Sequence, residues 1–452
     1  MKRKISITLS LCMLACIFPF GACKNGDTET IDDNDNVLRV ASWDEYIDMG
    51  GEESYDPESR PLYEEFEDWY LEEYGEEIHV EYIALQDNET MYSKIKMGDR
   101  YDILCPSEYM MMKMKSEDRL APFPQTFFDS NVEHNYYAQN LSPYIKTVFN
   151  NGGWTDYIAG YMWGTTGFVF NPKTIAETEE KSREIMQSWH CLTAPECSRK
   201  ITAKDNVRDS YFMGLGMYYE SELLQLKTQF EKGDIDLNTY KTTLSQKMND
   251  TSVETMAGAK KHLETMRTNL YGLETDEGKL DVISGRLQAS YQWSGDAVTI
   301  INEAEEESDL ALEYSIPTTA SNLWFDGWVM MKGISDKKQK AALAFINFLS
   351  RPDNVIRNMY YIGYTSCIGG EDVFSYIDET YSATDEDTDV SEYNLSYFFG
   401  DEFAPLTVPT NQTKRQLFAQ YPDESTINRL VVMNYFDKDS NERANRMWNN
   451  IK

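Results

Sequence analysis

Histidine is scarce in this chain: His79, His134, His190 and His262 are the only four among 452 residues, and they share no ligand-like spacing, so no zinc site is suggested. Basic residues are also outnumbered, with 42 Lys and Arg against 76 Asp and Glu, a formal net charge of −34. A sequence pI near 4.5 argues against a nucleic-acid partner, because phosphate binding needs a basic face. It leaves open a cationic partner or simply a soluble acidic surface. The chain has no Gly-x-Ser-x-Gly elbow, no Walker loop and no His-Glu-x-x-His helix, and no dinucleotide fingerprint follows a strand. Beyond the first two dozen residues no apolar run is long enough to span a bilayer. The hydrophobic content of 41% and aromatic content of 13% exclude a largely disordered chain. At this length two domains or lobes are expected.

The first 23 residues read as an export signal. Lys2, Arg3 and Lys4 form a basic start, residues 5–22 are mostly apolar, and Phe20-Gly21-Ala22-Cys23 ends the run. The small pair before Cys23 resembles a bacterial lipobox, which makes Cys23 the expected site of acylation and the mature N-terminus. Met13-Leu14-Ala15-Cys16 is a weaker rival, and a permanent transmembrane anchor is the alternative reading of the segment. Residues 24–36, KNGDTETIDDNDN, are polar and acidic and read as a tether. Beyond this leader Cys105, Cys191, Cys197 and Cys367 remain, in an exported and potentially oxidising setting. Cys191 and Cys197 could pair around Pro195, or all four could be isolated buried thiols.

From Val37 the pattern is strand, helix, strand, helix, strand. Residues 38–41 suggest a strand. Pro61 then opens a segment with Leu62, Phe66, Trp69, Tyr70 and Tyr74 at helical spacing, closed by Gly75. Ile78, Val80, Tyr82 and Leu85 alternate as in a strand, Asn88 is a candidate helix cap, and residues 102–105 are strand again, stopped by Pro106. Such interleaving predicts a mostly parallel sheet, whose ligands sit just beyond the carboxyl ends of the strands. Those ends are Ser42-Trp43-Asp44-Glu45-Tyr46 and Pro106-Ser107-Glu108-Tyr109, each with an aromatic residue and a carboxylate. Residues 219–248 predict a helical hairpin turning at Gly233-Asp234. Residues 380–392 are acidic, but Val390 occupies the glycine position of a calcium loop and no Glu closes it, so a solvated loop is expected.

Three short clusters join tryptophan to a carboxylate: Trp43-Asp44-Glu45-Tyr46, Trp293-Ser294-Gly295-Asp296 and Trp324-Phe325-Asp326, each expected at a strand end or turn. Carboxylates hold cations through charge-assisted hydrogen bonds, and aromatic faces hold them through the ring quadrupole. An alkylammonium, with charged ends and apolar methylenes, suits such a mixed lining. Ordinary core packing explains any one of these tryptophans; three together are harder to explain that way.

The segments LRVASWDEYID, DNETMYSKIK, YDILCPSEYM, YMWGTTGFVFN, QASYQWSGDA, SNLWFDGWVM, AFINFLSRPDNV and YIGYTS occur in that order between Leu38 and Ser366. In them the chain resembles the spermidine/putrescine-binding proteins of bacterial polyamine ABC importers, within the two-lobed periplasmic binding protein superfamily. The resemblance implies an α/β fold of the type II periplasmic-binding-protein kind, with mixed sheets flanked by helices and the ligand in the cleft between lobes. It implies one lobe from residues 37–166 and 325–371 and another from 167–324 and 372–452, with chain crossings near Thr166, Phe325 and Glu371. Carried over residue by residue, it implies ligand contacts from Trp43, Glu45, Tyr46, Ser107, Tyr109, Asp209, Trp293, Asp296, Trp324, Asp326 and Tyr364. Asn206 departs from the spermidine-type pattern, where a second acid is often found, and Met433 stands where a polar side chain is expected.

The function so implied is that of a monomeric, extracytoplasmic, lipid-anchored binding protein without enzymatic activity or cofactor, which delivers spermidine or putrescine to a membrane permease of the ABC type. Two other classes compete. A surface glycan-binding lipoprotein would also use tryptophans, but on an exposed platform. A secreted glycosidase would need two acids about 5–10 Å apart around a sugar-sized cleft.

Overall fold

The computed structural model describes residues 34–274 and 278–452; the leader, Cys23 and most of the acidic tether lie outside the described residues. Fourteen strands follow one another along that chain. They are β1 (Val37–Trp43), β2 (His79–Leu85), β3 (Ile103–Leu104), β4 (Leu120–Ala121), β5 (Ala159–Phe170), β6 (Ile201–Lys204) and β7 (Gly272–Glu274). The remainder are β8 (Ala289–Trp293), β9 (Glu313–Ser315), β10 (Ser321–Met331), β11 (Thr365–Ser366), β12 (Val390–Tyr393), β13 (Leu406–Pro409) and β14 (Leu430–Val432). Twelve of them join in one hydrogen-bonded path, β2-β1-β3-β10-β5-β8-β6-β7, with β4, β9, β11 and β14 attached at its sides, while β12 and β13 pair separately.

Two parallel groups stand at the ends of this path. β1 lies parallel to β2 and β3, and β6 lies parallel to β7 and β8. Between them run the two long strands, antiparallel to each other over Leu323–Trp328 of β10 and Thr165–Ala159 of β5. β10 reaches the first group through Val329 and Met330, and β5 reaches the second through Thr166–Phe170. The expected parallel sheet therefore holds within each group, and the sheet as a whole is mixed. All twelve residues of β5 are buried. A central strand covered on both faces reads as a near-continuous apolar run rather than an alternating one, and AGYMWGTTGFVF fits that rule.

Local chemistry fixes the elements around the site. The helix Leu62–Tyr74 buries Leu62, Phe66 and Tyr70, spaced four residues apart on one face, and Phe66 meets the ring of Phe345 at 5.0 Å. It stops at Gly75, whose φ of 66° lets its N–H reach back to the Leu71 carbonyl. The helix Asn88–Met97 is capped by Asp87, whose Oδ1 accepts from the Thr90 N–H, and not by Asn88 as expected. Asn88 instead turns inward, its amide bonded to the Oγ and N–H of Ser107.

Other expectations need correction. Trp324 and Asp326 do not sit at a strand end; they lie inside β10, whose register slips between Asp326 and Gly327. Such an irregularity re-aims side chains without ending the strand. The helical hairpin exists, but its first arm is the long helix Val207–Glu231, which starts twelve residues before the expected point because Asn206 caps it. The strand expected at 102–105 is only the two residues of β3. The acidic stretch 380–392 is not one loop: it begins in the helix Glu371–Tyr381 and ends in β12, with Asp389 accepting from Thr410 next to β13. Cys105, Cys191, Cys197 and Cys367 are all free and buried, so Cys191 and Cys197 form no disulfide. Among the described residues no cluster of His, Cys, Asp and Glu is arranged to hold a metal ion, and no helix is long and apolar enough to cross a membrane.

Candidate functional site

All six strands of the two parallel groups release the chain into one cleft of about 550 Å³. Trp43–Tyr46 enter after β1, Gln86–Glu89 after β2 and Ser107–Tyr109 after β3. From the other group come Asn206, Arg208 and Asp209 after β6, Lys279 beyond β7, and Trp293 and Asp296 after β8. The long strand β10 contributes Asn322, Trp324 and Asp326 from its middle, and Tyr364 closes one side. The cleft thus gathers all eleven expected ligand-contact positions. This is the location that the carboxyl-end rule for α/β sheets requires.

Asp326 is a deeply buried acid in the cleft, as are Glu108 and Asp209. Its Oδ2 accepts from the Tyr46 hydroxyl at 2.7 Å and from the Trp43 indole N–H at 3.3 Å. Its Oδ1 is buried and has no hydrogen-bond partner among the described residues. Burial raises its pKa, opposed by the hydrogen bonds it accepts. A carboxylate oxygen stripped of water and left unpaired is costly unless a cation or donor meets it.

Four helices of nine or more residues begin at the cleft, each with an acid in its first turn: Glu89, Glu108, Asp209 and Asp296. A bare helix N-terminus carries roughly half a positive charge and favours anions. An acid in each first turn opposes that sign when it is ionised, and a bound cation favours the ionised form. Burial pushes Glu108 up to about 8, with Arg208 pulling the other way and Asp326 adding to the rise. Burial likewise pushes Asp209 up to about 6 against the pull of Lys204 and Arg208. Both acids are poorly solvated and gain from a positive neighbour.

Aromatic rings form the walls. Trp324 packs on Tyr364 at 5.3 Å between centroids, and Tyr364 meets Tyr46 edge-on at 6.0 Å. This wall needs glycine behind it: a Cβ on Gly295 would fall 1.7 Å from the Tyr364 ring, and one on Gly164 2.6 Å from Trp324. Trp324 is anchored by its indole N–H on the Thr165 carbonyl. Tyr109 donates to Glu89 at 3.0 Å and carries the Arg208 guanidinium 3.8 Å over its ring. Arg208 also donates to the Asn434 carbonyl, which pins it against the wall.

Glu45 is exposed, with a left-handed φ of 52°. Asp296 is occupied differently from Asp326. Its Oδ1 receives Lys279 at 2.9 Å and the Tyr364 hydroxyl at 3.3 Å, and Lys204 lies 3.5 Å from its Oδ2. The sequence reading did not single out Glu89, Lys204 or Lys279. Glu89 follows a strand end next to a cap and could have been found by the same rule that found Ser107. The lysines carried no signal, because nothing in their neighbourhoods along the chain announces Asp296.

A concave, mixed aromatic and acidic cleft at the carboxyl ends of two parallel strand groups defines a protein that binds a small solute. Residues 64–370 match the family described as bacterial extracellular solute-binding protein, and the chain belongs to that family. It is therefore an extracytoplasmic binding protein and not an enzyme. It is 25% identical over 335 residues to a spermidine/putrescine-binding periplasmic protein of Salmonella typhimurium, covering 74% of this chain and 77% of the relative. With its counterpart from Escherichia coli it shares 24% identity over 348 residues, 76% and 81% of the two chains. Among solved structures it is similar to a spermidine/putrescine ABC transporter substrate-binding protein of Streptococcus pneumoniae, with a TM-score of 0.59 at 25% identity over 92% of this chain and 98% of that one. A lipoprotein of Treponema pallidum shares the fold at a TM-score of 0.60 and 17% identity, covering 92% and 99%.

Proposed function

We propose that this protein captures a linear polyamine, putrescine or spermidine, in the cleft around Asp326 and delivers it to an ABC-type permease. The observation that carries this reading is the Asp326 carboxylate: buried, held on one oxygen by Tyr46 and Trp43, and without a hydrogen-bond partner on the other among the described residues. An ammonium group supplies the missing partner. Glu108, Asp209, Glu89 and Glu45 are the further acids that favour positive charge, and Trp43, Trp324, Tyr46, Tyr109 and Tyr364 pack the methylenes. Each cation–aromatic contact contributes roughly 0.5–2 kcal/mol.

The proposed lobes are residues 37–166 with 325–371 and residues 167–324 with 372–452, and the long strands β5 and β10 are suited to link them. A ligand that touches both lobes favours the closed arrangement, because only closure brings Asp326 and Asp209 to the same molecule. Lipid on Cys23 would hold the protein, as a monomer, at the outer face of a membrane, where the acidic tether gives it reach to the permease. Thermal shift with putrescine, spermidine and oligosaccharides tests the reading. A bound polyamine at 100 times its dissociation constant stabilises the fold by about 2.7 kcal/mol. No shift with either amine, or a shift with oligosaccharide alone, contradicts it.

A further inference from the structure

The far part of the helical hairpin closes a second cavity, of about 510 Å³, which shares no lining residue with the cleft. The helix Val207–Glu231 gives it Phe230 and the helix Leu237–Met248 gives it Tyr240, their rings stacked at 4.7 Å. Phe170, Ile316 and Phe418, all buried, add apolar surface. Arg429, directly before β14, lines the same cavity and is 9% exposed. Its Nε donates to the Pro317 carbonyl at 3.0 Å, and among the described residues its two Nη groups have no hydrogen-bond or ion-pair partner. The Tyr240 hydroxyl likewise has no hydrogen-bond partner among them. The two groups act on each other: burial lowers the Arg429 pKa against the pull of Asp423 and Tyr240, and burial pushes Tyr240 up to about 12 against the pull of Arg429.

The acids of this lining already have partners of their own. Glu313 receives Arg183, Glu231 receives Lys227, and Asp423 accepts from Ser425 and from both the N–H and the hydroxyl of Thr426. The guanidinium is therefore left with open donors in a site largely withdrawn from water, which is costly unless an acceptor meets them. We propose that this cavity is a second ligand site, taking a small monocarboxylate with an apolar body, its oxygens on the Arg429 Nη groups and the Tyr240 hydroxyl. The planar fork of a guanidinium matches a carboxylate in a two-pronged contact, and the stacked rings with Phe170, Ile316 and Phe418 suit the apolar body. The volume lies within the range of roughly 300–1,000 Å³ common for small-molecule sites. A dianion such as phosphate suits it less, because Asp423, Glu231 and Glu313 stand in the same lining. The site is independent of the polyamine reading of the cleft.

The test is calorimetric titration of the purified protein with benzoate, with its neutral analogue benzamide and with inorganic phosphate, at one fixed ionic strength. The native sequence should bind benzoate saturably and one to one, and the other two at least tenfold more weakly. Arg429→Gln, which removes the charge, should weaken benzoate binding at least tenfold, and Tyr240→Phe, which keeps the ring and removes the hydroxyl, at least threefold; melting temperatures report whether each variant is folded. If Arg429→Gln does not fold, Tyr240→Phe decides alone. No saturable binding of benzoate, binding of benzamide or phosphate as tight as that of benzoate, or benzoate affinity unchanged in a folded variant overturns the inference. None of these outcomes touches the reading of the cleft, which the polyamine titrations test separately.

Discussion

Tyr46 donates its hydroxyl to Asp326 across 280 residues of sequence, at 2.7 Å and out of reach of water. The bond joins the loop after β1 to the middle of β10 and holds one carboxylate oxygen so that the other must find its partner elsewhere. Asp326→Asn keeps the shape and removes the charge. Breaking a buried ion pair by removing one partner costs about 3–5 kcal/mol, and we predict that polyamine affinity falls at least tenfold while the melting temperature holds or rises. Unchanged affinity in a folded Asp326→Asn protein removes this residue from the site.

Tyr46→Phe acts on the same carboxylate indirectly. Without that hydrogen bond the ionised form of Asp326 is less favoured, so its pKa rises further. The loss of affinity should be larger at pH 6 than at pH 8. Titrations at the two pH values that give equal losses would show that Tyr46 does not help keep Asp326 charged.

Glu108 and Asp209 predict a proton-linked affinity. Glu108, raised to about 8, and Asp209, raised to about 6, bind protons more tightly when folded than when unfolded. The ligand-free protein therefore loses stability as pH rises from about 4 to 8, because the native state holds protons there that the unfolded state has released. Ammonium favours the ionised acids, so binding releases protons, and affinity should rise by about tenfold or more from pH 6 to pH 8, where amines resembling the lysine side chain stay protonated. Calorimetry in buffers of different ionisation enthalpy reads the released protons directly; a flat profile with no release contradicts the assignment.

Much of this site is legible in the sequence. Trp43, Tyr46, Ser107 and Tyr109 were found because strand, helix and strand periodicity placed them at carboxyl ends, a rule of chain geometry that needs no side-chain detail. Trp324 and Asp326 are marked by their composition and resemblance, though not by their position: a strand buried along nearly its whole length, such as β10, has no polar alternation to mark where a cleft crosses it. Asp87 displaced Asn88 as the cap because both residue types cap well and only Asn88 had an inward partner, in Ser107. The pairing of Asp296 with Lys204 and Lys279 was beyond reach, since it joins β6, β8 and the segment after β7 through tertiary structure alone.

Gly295 supports the aromatic wall by lacking a side chain. A methyl group there would overlap the Tyr364 ring, on the helix that carries Asp296. Gly295→Ala should fold, because alanine suits a helix better than glycine, yet displace Tyr364 and weaken polyamine binding by about tenfold. Tyrosine fluorescence changes on ligand addition that match the native protein would argue against that displacement.

Cys23 is expected to carry the lipid anchor. Cys23→Ala should leave an unacylated, poorly processed precursor in the cell that normally makes the protein. Mass spectrometry that finds a mature N-terminus elsewhere, with no acyl chain, would refute it.

The most direct measurement is calorimetric titration of residues 24–452 with putrescine and spermidine, beside an amino acid and an oligosaccharide, at pH 8 and physiological ionic strength. A cleft built around Asp326 and four acidic helix starts should give saturable one-to-one binding of at least one polyamine, with proton release, and no heat from the sugar. No binding of either polyamine, with tight binding of the amino acid or the sugar, would contradict the assignment of this cleft to a polycation.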